Sequence, residues 1–254
     1  MLLQTILEEN IMSRLQEIAE NLDRYLIGLD EPFQFKCRGC GKCCKNREDI
    51  LLTSRDLFRI AKHFEKTPAE IVEEYCECYI GPSSRIPLVR LLPRGPAKAC
   101  PFLADKRCQV HTCKPVVCAL FPIGRIQKFS KEDGAPEELP GYILQEVECG
   151  SRKKITTVRQ WLEKFNIPVE DIFYAKWTML ISQISMAFAK LHPHLSERAL
   201  QALQAKFGQL LYLEYNIAEE FLEQFLSNAE QVEESIGYIQ SFYKEEIGGE
   251  DGED

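Results

Sequence analysis

Apolar residues recur every three or four positions at the start of the chain: Leu3, Leu7, Ile11, Leu15, Ile18, Leu22, Leu26 and Leu29. That spacing draws one apolar stripe along a helix. It predicts an amphipathic helix over 2–29, ended by Glu31-Pro32 and packed on the rest of the protein or on a partner helix. From about residue 33 the helical period fades. Residues 50–52 predict a short strand, and Ser54 a cap for a helix to about 64. Thr67-Pro68-Ala69-Glu70 is a capping box with proline at the first helical position, opening a helix to about 76. Pro82, Pro87, Pro93 and Pro96 make the next stretch extended. A small hairpin is expected around 104–107, a helical turn over 115–120, a loop over 130–140 and a strand over 142–147. Beyond 155 the helical period returns. It predicts helices near 156–165, 169–191, 196–215, 217–227 and 229–246, with His192-Pro193 separating the second from the third. The final GGEDGED is expected to be a disordered acidic tail.

The pattern gives a mainly α fold. An irregular cysteine-cluster subdomain with a few short strands is flanked by an N-terminal amphipathic helix and a C-terminal helical bundle. The expected boundaries are 1–32 for the helix, 33–150 for the cysteine-cluster metal-binding domain, 151–247 for the helical region and 248–254 for the tail.

Composition changes the picture at one point. The chain has 254 residues and 11 cysteines, an odd number that cannot all pair within one chain. The N-terminal apolar residues are interrupted by Glu8, Glu9 and Asn10 with no basic stretch before them, unlike a secretory leader. No apolar run is long enough for a membrane span. A cytoplasmic, reducing compartment is expected, where many cysteines argue for metal or redox chemistry before disulfides. Net charge is −8, yet residues 36–131 hold 19 Lys and Arg against 9 Asp and Glu. The cysteine region is thus locally basic. Its cations are scattered and no nucleic-acid module accompanies them, so they are expected to offset thiolate charge rather than to bind nucleic acid.

The chemistry lies in FKCRGCGKCCKN, which places Cys37, Cys40, Cys43 and Cys44 within eight residues. Cys-x2-Cys-x2-Cys lets three thiolates converge from a tight loop, and Gly39 and Gly41 permit the sharp backbone. The same triple spacing occurs in bacterial iron–sulfur loops, whereas zinc sites more often use two separated Cys-x2-Cys knuckles. Neighbouring side chains in an extended chain point apart. Cys43 and Cys44 are therefore expected to face different centres, with Cys100, Cys108, Cys118 and Cys149 as further ligand candidates.

FKCRGCGKCC, followed by ACPFL, CQVH and KPVVCALFP, resembles the CxxCxxCC cysteine-cluster family of zinc- or iron-chelating domains, often labelled iron–sulfur-cluster proteins. The resemblance spans about 33–150. It implies that Cys37, Cys40, Cys43, Cys44, Cys100, Cys108, Cys118 and Cys149 bind the metal or cluster. Lys114 and Ala119 stand where arginines are usual, and Cys149-Gly150 lacks an expected proline. The resemblance also touches flagellin lysine methylases, though the rest of the chain does not match them.

Cys76 and Cys78 are expected to be structural, and Cys113 is a substitute ligand. His111 could orient a ligand. No phosphate-binding glycine loop, nucleophile elbow or His-Glu-x-x-His is present. The expected function is an iron–sulfur protein, [4Fe–4S] by preference, serving electron transfer or redox sensing with a redox partner protein. The alternatives are a structural zinc module and a protein-modifying enzyme.

Overall fold

The computed structural model describes residues 25–46, 48, 50–128 and 140–243. In chain order the strands are β1 (Pro32–Lys36), β2 (Cys76–Ile80), β3 (Pro87–Leu91), β4 (Leu103–Ala104), β5 (Arg107–Cys108), β6 (Ile123–Ile126), β7 (Gly141–Leu144) and β8 (Ser151–Thr157). The helices are α1 (Ser54–Phe64), α2 (Pro68–Tyr75), α3 (Val116–Leu120), α4 (Val158–Lys164), α5 (Ile172–Leu191), α6 (Glu197–Gly208) and α7 (Phe221–Phe242). The fold is mainly α with short antiparallel strand pairs. Two compact units form it, one from 25–38 and 120–170, the other from 39–119 and 171–243. The stretch 33–150 contributes to both.

In the first unit, β1 pairs with β8 and β6 with β7. Phe33, Phe35, Trp161 and Leu162 are buried, and the Phe35 and Trp161 rings meet edge to face at 5.6 Å. Trp161 Nε1 donates to Leu120 O at 3.0 Å, so the indole is satisfied inside the core. The predicted N-terminal helix lies outside the described residues up to 24, and its last turn is corrected. Leu26 instead bridges Ile143, and Ile27 N donates to Tyr142 O. Gly28 weakens the helix there, and its N–H is taken by Glu31 Oε2. Three strands of this unit were not anticipated, β1, β6 and β8. Thr157 ends β8 and caps α4 through a box with Gln160, so this helix starts later than expected.

In the second unit the core is built on Leu57, Ile60, Ile71, Leu180, Phe188, Phe207, Phe225 and Val232. α1 begins at a capping box of Thr53 with Asp56, one residue before the expected cap Ser54. The Thr67–Glu70 box opens α2 as expected. Cys76 and Cys78, expected at a helix end and loop, lie on β2. α6 is shorter than expected and runs into a π-helical segment, Gln209–Leu213. The expected break near residue 228 does not occur, because α7 is continuous. Asn228 is a poor helix former, but it is buried and its Nδ2 donates to Leu210 O and Glu214 O. It thereby satisfies carbonyls around the π segment, and that tertiary bond outweighs its propensity. The expected acidic tail, 248–254, falls outside the described residues. Among the described residues, no helix is long and apolar enough to cross a membrane.

Cys76 supports a pH prediction. Burial, with a smaller effect of Cys78, pushes its thiol from 9.0 up to about 12. The fold therefore favours the neutral thiol, a stabilisation complete below about pH 9 and lost as pH rises toward 12. Cys76→Ala is expected to remove ~3 kcal/mol of the loss in stability between about pH 8 and pH 11, measured by denaturant unfolding. An unchanged pH slope would contradict this.

Candidate metal centre

The signature loop turns twice through the left-handed region, at Gly39 (φ 64°) and Gly41 (φ 69°). Non-glycine residues are strained there. Gly41 then caps a 3-10 turn, Lys42–Cys44. Two backbone bonds tie this turn to a distant segment: Cys100 N donates to Cys44 O at 2.8 Å, and Asn46 N to Ala97 O at 3.1 Å. The β4–β5 hairpin follows as expected, with Asp105 and Lys106 both at positive φ in the turn. Its register sets Leu103 opposite Cys108.

Cys118 arrives from α3. The buried Asp56 holds the start of that helix, accepting from Val116 N at 2.9 Å through Oδ1. Its Oδ2 accepts from Thr53 N and Thr53 Oγ1. One carboxylate thus caps α1 and fixes the approach of α3. Arg59 Nη2 donates to Thr112 O at 3.3 Å and steadies the segment between Cys108 and Cys118. Sequence reasoning missed both residues. The Thr-x-x-Asp box was a visible signal for the cap, but nothing local marked the bond to Val116.

These segments form one small pocket. Cys43, Cys44, Cys100 and Cys118 line it with Ile50, Leu91, Pro93 and Pro101, and its volume is about 20 Å³. That is room for one water-sized atom. Cys43 Sγ and Cys44 Sγ lie 3.9 Å apart. The expectation that they face different centres is corrected, because the alternation of neighbours belongs to extended chain and these two residues sit on a 3-10 turn.

The electrostatics describe the same neighbourhood. The Cys44 thiol is raised far above the usual range, first by its hydrogen bond with Cys43, then by burial, then by the charges of Cys43, Cys100 and Cys108. Cys100 and Cys108 are raised mainly by burial, with Cys43 adding to both. Arg94 beside Cys100 and Lys114 beside Cys108 act the other way, favouring thiolate. Local basic charge therefore works against thiol protonation. Cys113 is buried and raised, with Cys108 contributing.

The remaining candidates are placed differently. Cys40 is exposed on the signature loop. Cys37 is exposed and Cys149 half-buried, both in the first unit. β1 and β8 bring their chain segments together, since Lys36 pairs with Ser151. Gly150 (φ 77°) makes the approach possible, because a Cβ there would lie 2.4 Å from Phe35 Cε2. His111 is exposed.

Residues 36–135 match the CxxCxxCC family model. Its description is "Putative zinc- or iron-chelating domain", and the matched stretch is less than half of the chain. It includes every candidate cysteine but Cys149. No curated protein and no solved structure matches the chain. The CxxCxxCC match supports metal binding.

The donor set fits such a metal. Its pocket is lined by thiols and apolar side chains with no histidine or carboxylate, a soft set suited to zinc, copper(I) or iron–sulfur centres. The thiols are neighbours rather than a closed cage: among the described residues, no three His, Cys, Asp or Glu already form a metal-binding group. The Cys43–Cys44 separation of 3.9 Å is close to the edge of a tetrahedron with metal–sulfur bonds of about 2.3 Å.

Asp56 offers a test that leaves every thiol in place. Asp56→Ala is expected to weaken metal retention by about 10–100-fold, as loss of an outer partner does. Asp56→Asn, which keeps an acceptor toward Val116 N, should recover most of it. Chelator competition measures both, and equal retention by Asp56→Ala and wild type would contradict the positioning role.

Proposed function

We propose that residues 39–119 hold a metal centre through Cys43, Cys44, Cys100, Cys108 and Cys118, with Cys40 on the adjoining loop. The carrying observation is the gathering of thiols from three chain segments at one pocket that no histidine or carboxylate lines. Cys37, the first cysteine of the signature spacing, and Cys149 belong to the other compact unit. The all-thiol donors, with the Cys-x2-Cys-x2-Cys spacing, favour an iron–sulfur cluster. When bound, such a cluster supplies one-electron chemistry, and the proposed role is electron transfer or redox sensing. The protein's own contribution is to shield the sulfurs and to set local charge through Arg94 and Lys114.

A single zinc ion is the second reading, favoured by the pocket of about 20 Å³ and the 3.9 Å sulfur separation. A cubane's thiolates bind different irons and stand further apart than the ligands of one ion. Anaerobic purification, followed by iron, zinc and acid-labile sulfide analysis and a visible spectrum, separates the two. Iron with matching sulfide in a brown protein supports the cluster. Stoichiometric zinc in a colourless protein supports the second reading. A protein lacking both metals contradicts the metal proposal itself.

A further inference from the structure

A second cavity, of about 540 Å³, lies within the first unit between the end of β1, β8 and α4. Lys36, Lys154 and Lys164 line it with Cys37, Thr156 and Gln160, over the buried rings of Phe35 and Trp161, and no carboxylate lines it. Three like charges on one concavity repel each other, so their placement needs a reason.

The backbone builds this placement. Gln34 pairs with Ile155 but Lys36 pairs with Ser151, so one β1 residue faces three of β8. The resulting bulge is Arg152-Lys153-Lys154, three consecutive cations. Bulges re-aim side chains and recur beside functional sites. Arg152 is spent on the backbone, donating to Gln34 O and Val147 O, while Lys154 lines the cavity. On the opposite wall the Lys164 ammonium sits 4.5 Å over the Trp161 ring and 4.9 Å over Phe165, which fixes its position. Among the described residues none of the three ammonium groups pairs with a carboxylate.

We propose that this cavity binds a small molecule through a diphosphate or triphosphate group. Its volume is in the range of small-molecule sites and far exceeds a single oxyanion. Lysines are point-charge phosphate binders, and three of them match a multiply charged group. This inference does not depend on the metal centre.

Calorimetric titration of the purified full chain at low salt, with inorganic pyrophosphate, ADP and citrate as separate probes, tests it. Saturable one-site binding of pyrophosphate or ADP, tighter than citrate, is expected. Tighter ADP than pyrophosphate indicates an organic phosphate; equal affinity indicates that the phosphates alone are recognised. Lys154→Gln and Lys36→Gln should each weaken binding by about tenfold, with unchanged thermal unfolding. Lys190→Gln, at an exposed position of the other unit, should leave affinity unchanged. No saturable binding at millimolar probe, citrate binding as tightly, or an equal loss in Lys190→Gln would overturn the proposal.

Discussion

Cys100→Ser is expected to leave anaerobic purification without its metal and with the CxxCxxCC stretch loosened. Cys100 is half-buried, lines the pocket and sits in the electrostatic neighbourhood of Cys43 and Cys44. Its tie to the signature loop is a backbone bond, Cys100 N to Cys44 O, which serine keeps. The substitution therefore isolates the sulfur. A serine hydroxyl does not ionise near neutral pH and is a hard donor that a thiophilic metal binds poorly. Structural metal binding contributes about 10–16 kcal/mol in small zinc domains, so losing one thiol ligand removes far more than an ordinary side-chain contact. Metal content should fall to near zero and protease resistance across 39–119 should drop. Cys78→Ser, at an exposed thiol on β2, should retain full metal. Stoichiometric metal in Cys100→Ser would remove this residue from the ligand set.

Arg55→Met is expected to produce the largest loss of stability without touching metal content. Arg55 forms a two-pronged ion pair with Asp171, at 2.8 and 2.5 Å. The Asp171 side chain is only 3% exposed and Arg55 22%, so solvent screens the pair little. Asp171 also accepts from Tyr174 N and caps α5, and the Arg55 guanidinium lies 4.4 Å over the Phe173 ring. Removing the arginine strands a buried carboxylate, which costs about 3–5 kcal/mol. For a chain of this size that lowers the melting temperature by roughly 10–15 °C. The double variant Arg55→Met with Asp171→Asn removes the stranded charge and should recover part of the loss. If Arg55→Met melts within a degree or two of wild type, the pair contributes nothing.

Which elements could be read from sequence follows from where their determinants lie. Thr67-Pro68-Ala69-Glu70 carries its helix start in four adjacent residues, and α2 forms there. The loop conformation was also visible, because Gly39 and Gly41 are glycines at positive φ. β8 was obscured because its Arg-Lys-Lys bulge breaks the alternation that marks a strand. β2 reads Cys-Glu-Cys-Tyr-Ile beside a helix end, and only pairing with β3 makes it a strand. The division expected between 227 and 229 was not corrected by any local signal, since the bonds of Asn228 to Leu210 and Glu214 lie outside its own helix. At the site, the clustered cysteines announced themselves. The joint orientation of Cys43 and Cys44 did not, since it depends on a 3-10 turn held by a bond to Cys100. Asp56 was legible as a cap and hidden as a support for Cys118.

X-ray absorption at the metal edge of the anaerobically purified protein tests the central claim most directly. Sulfur alone in the inner coordination shell, at about 2.3 Å, is the expected result. An inner shell dominated by nitrogen or oxygen would contradict the convergence of these thiols on a metal.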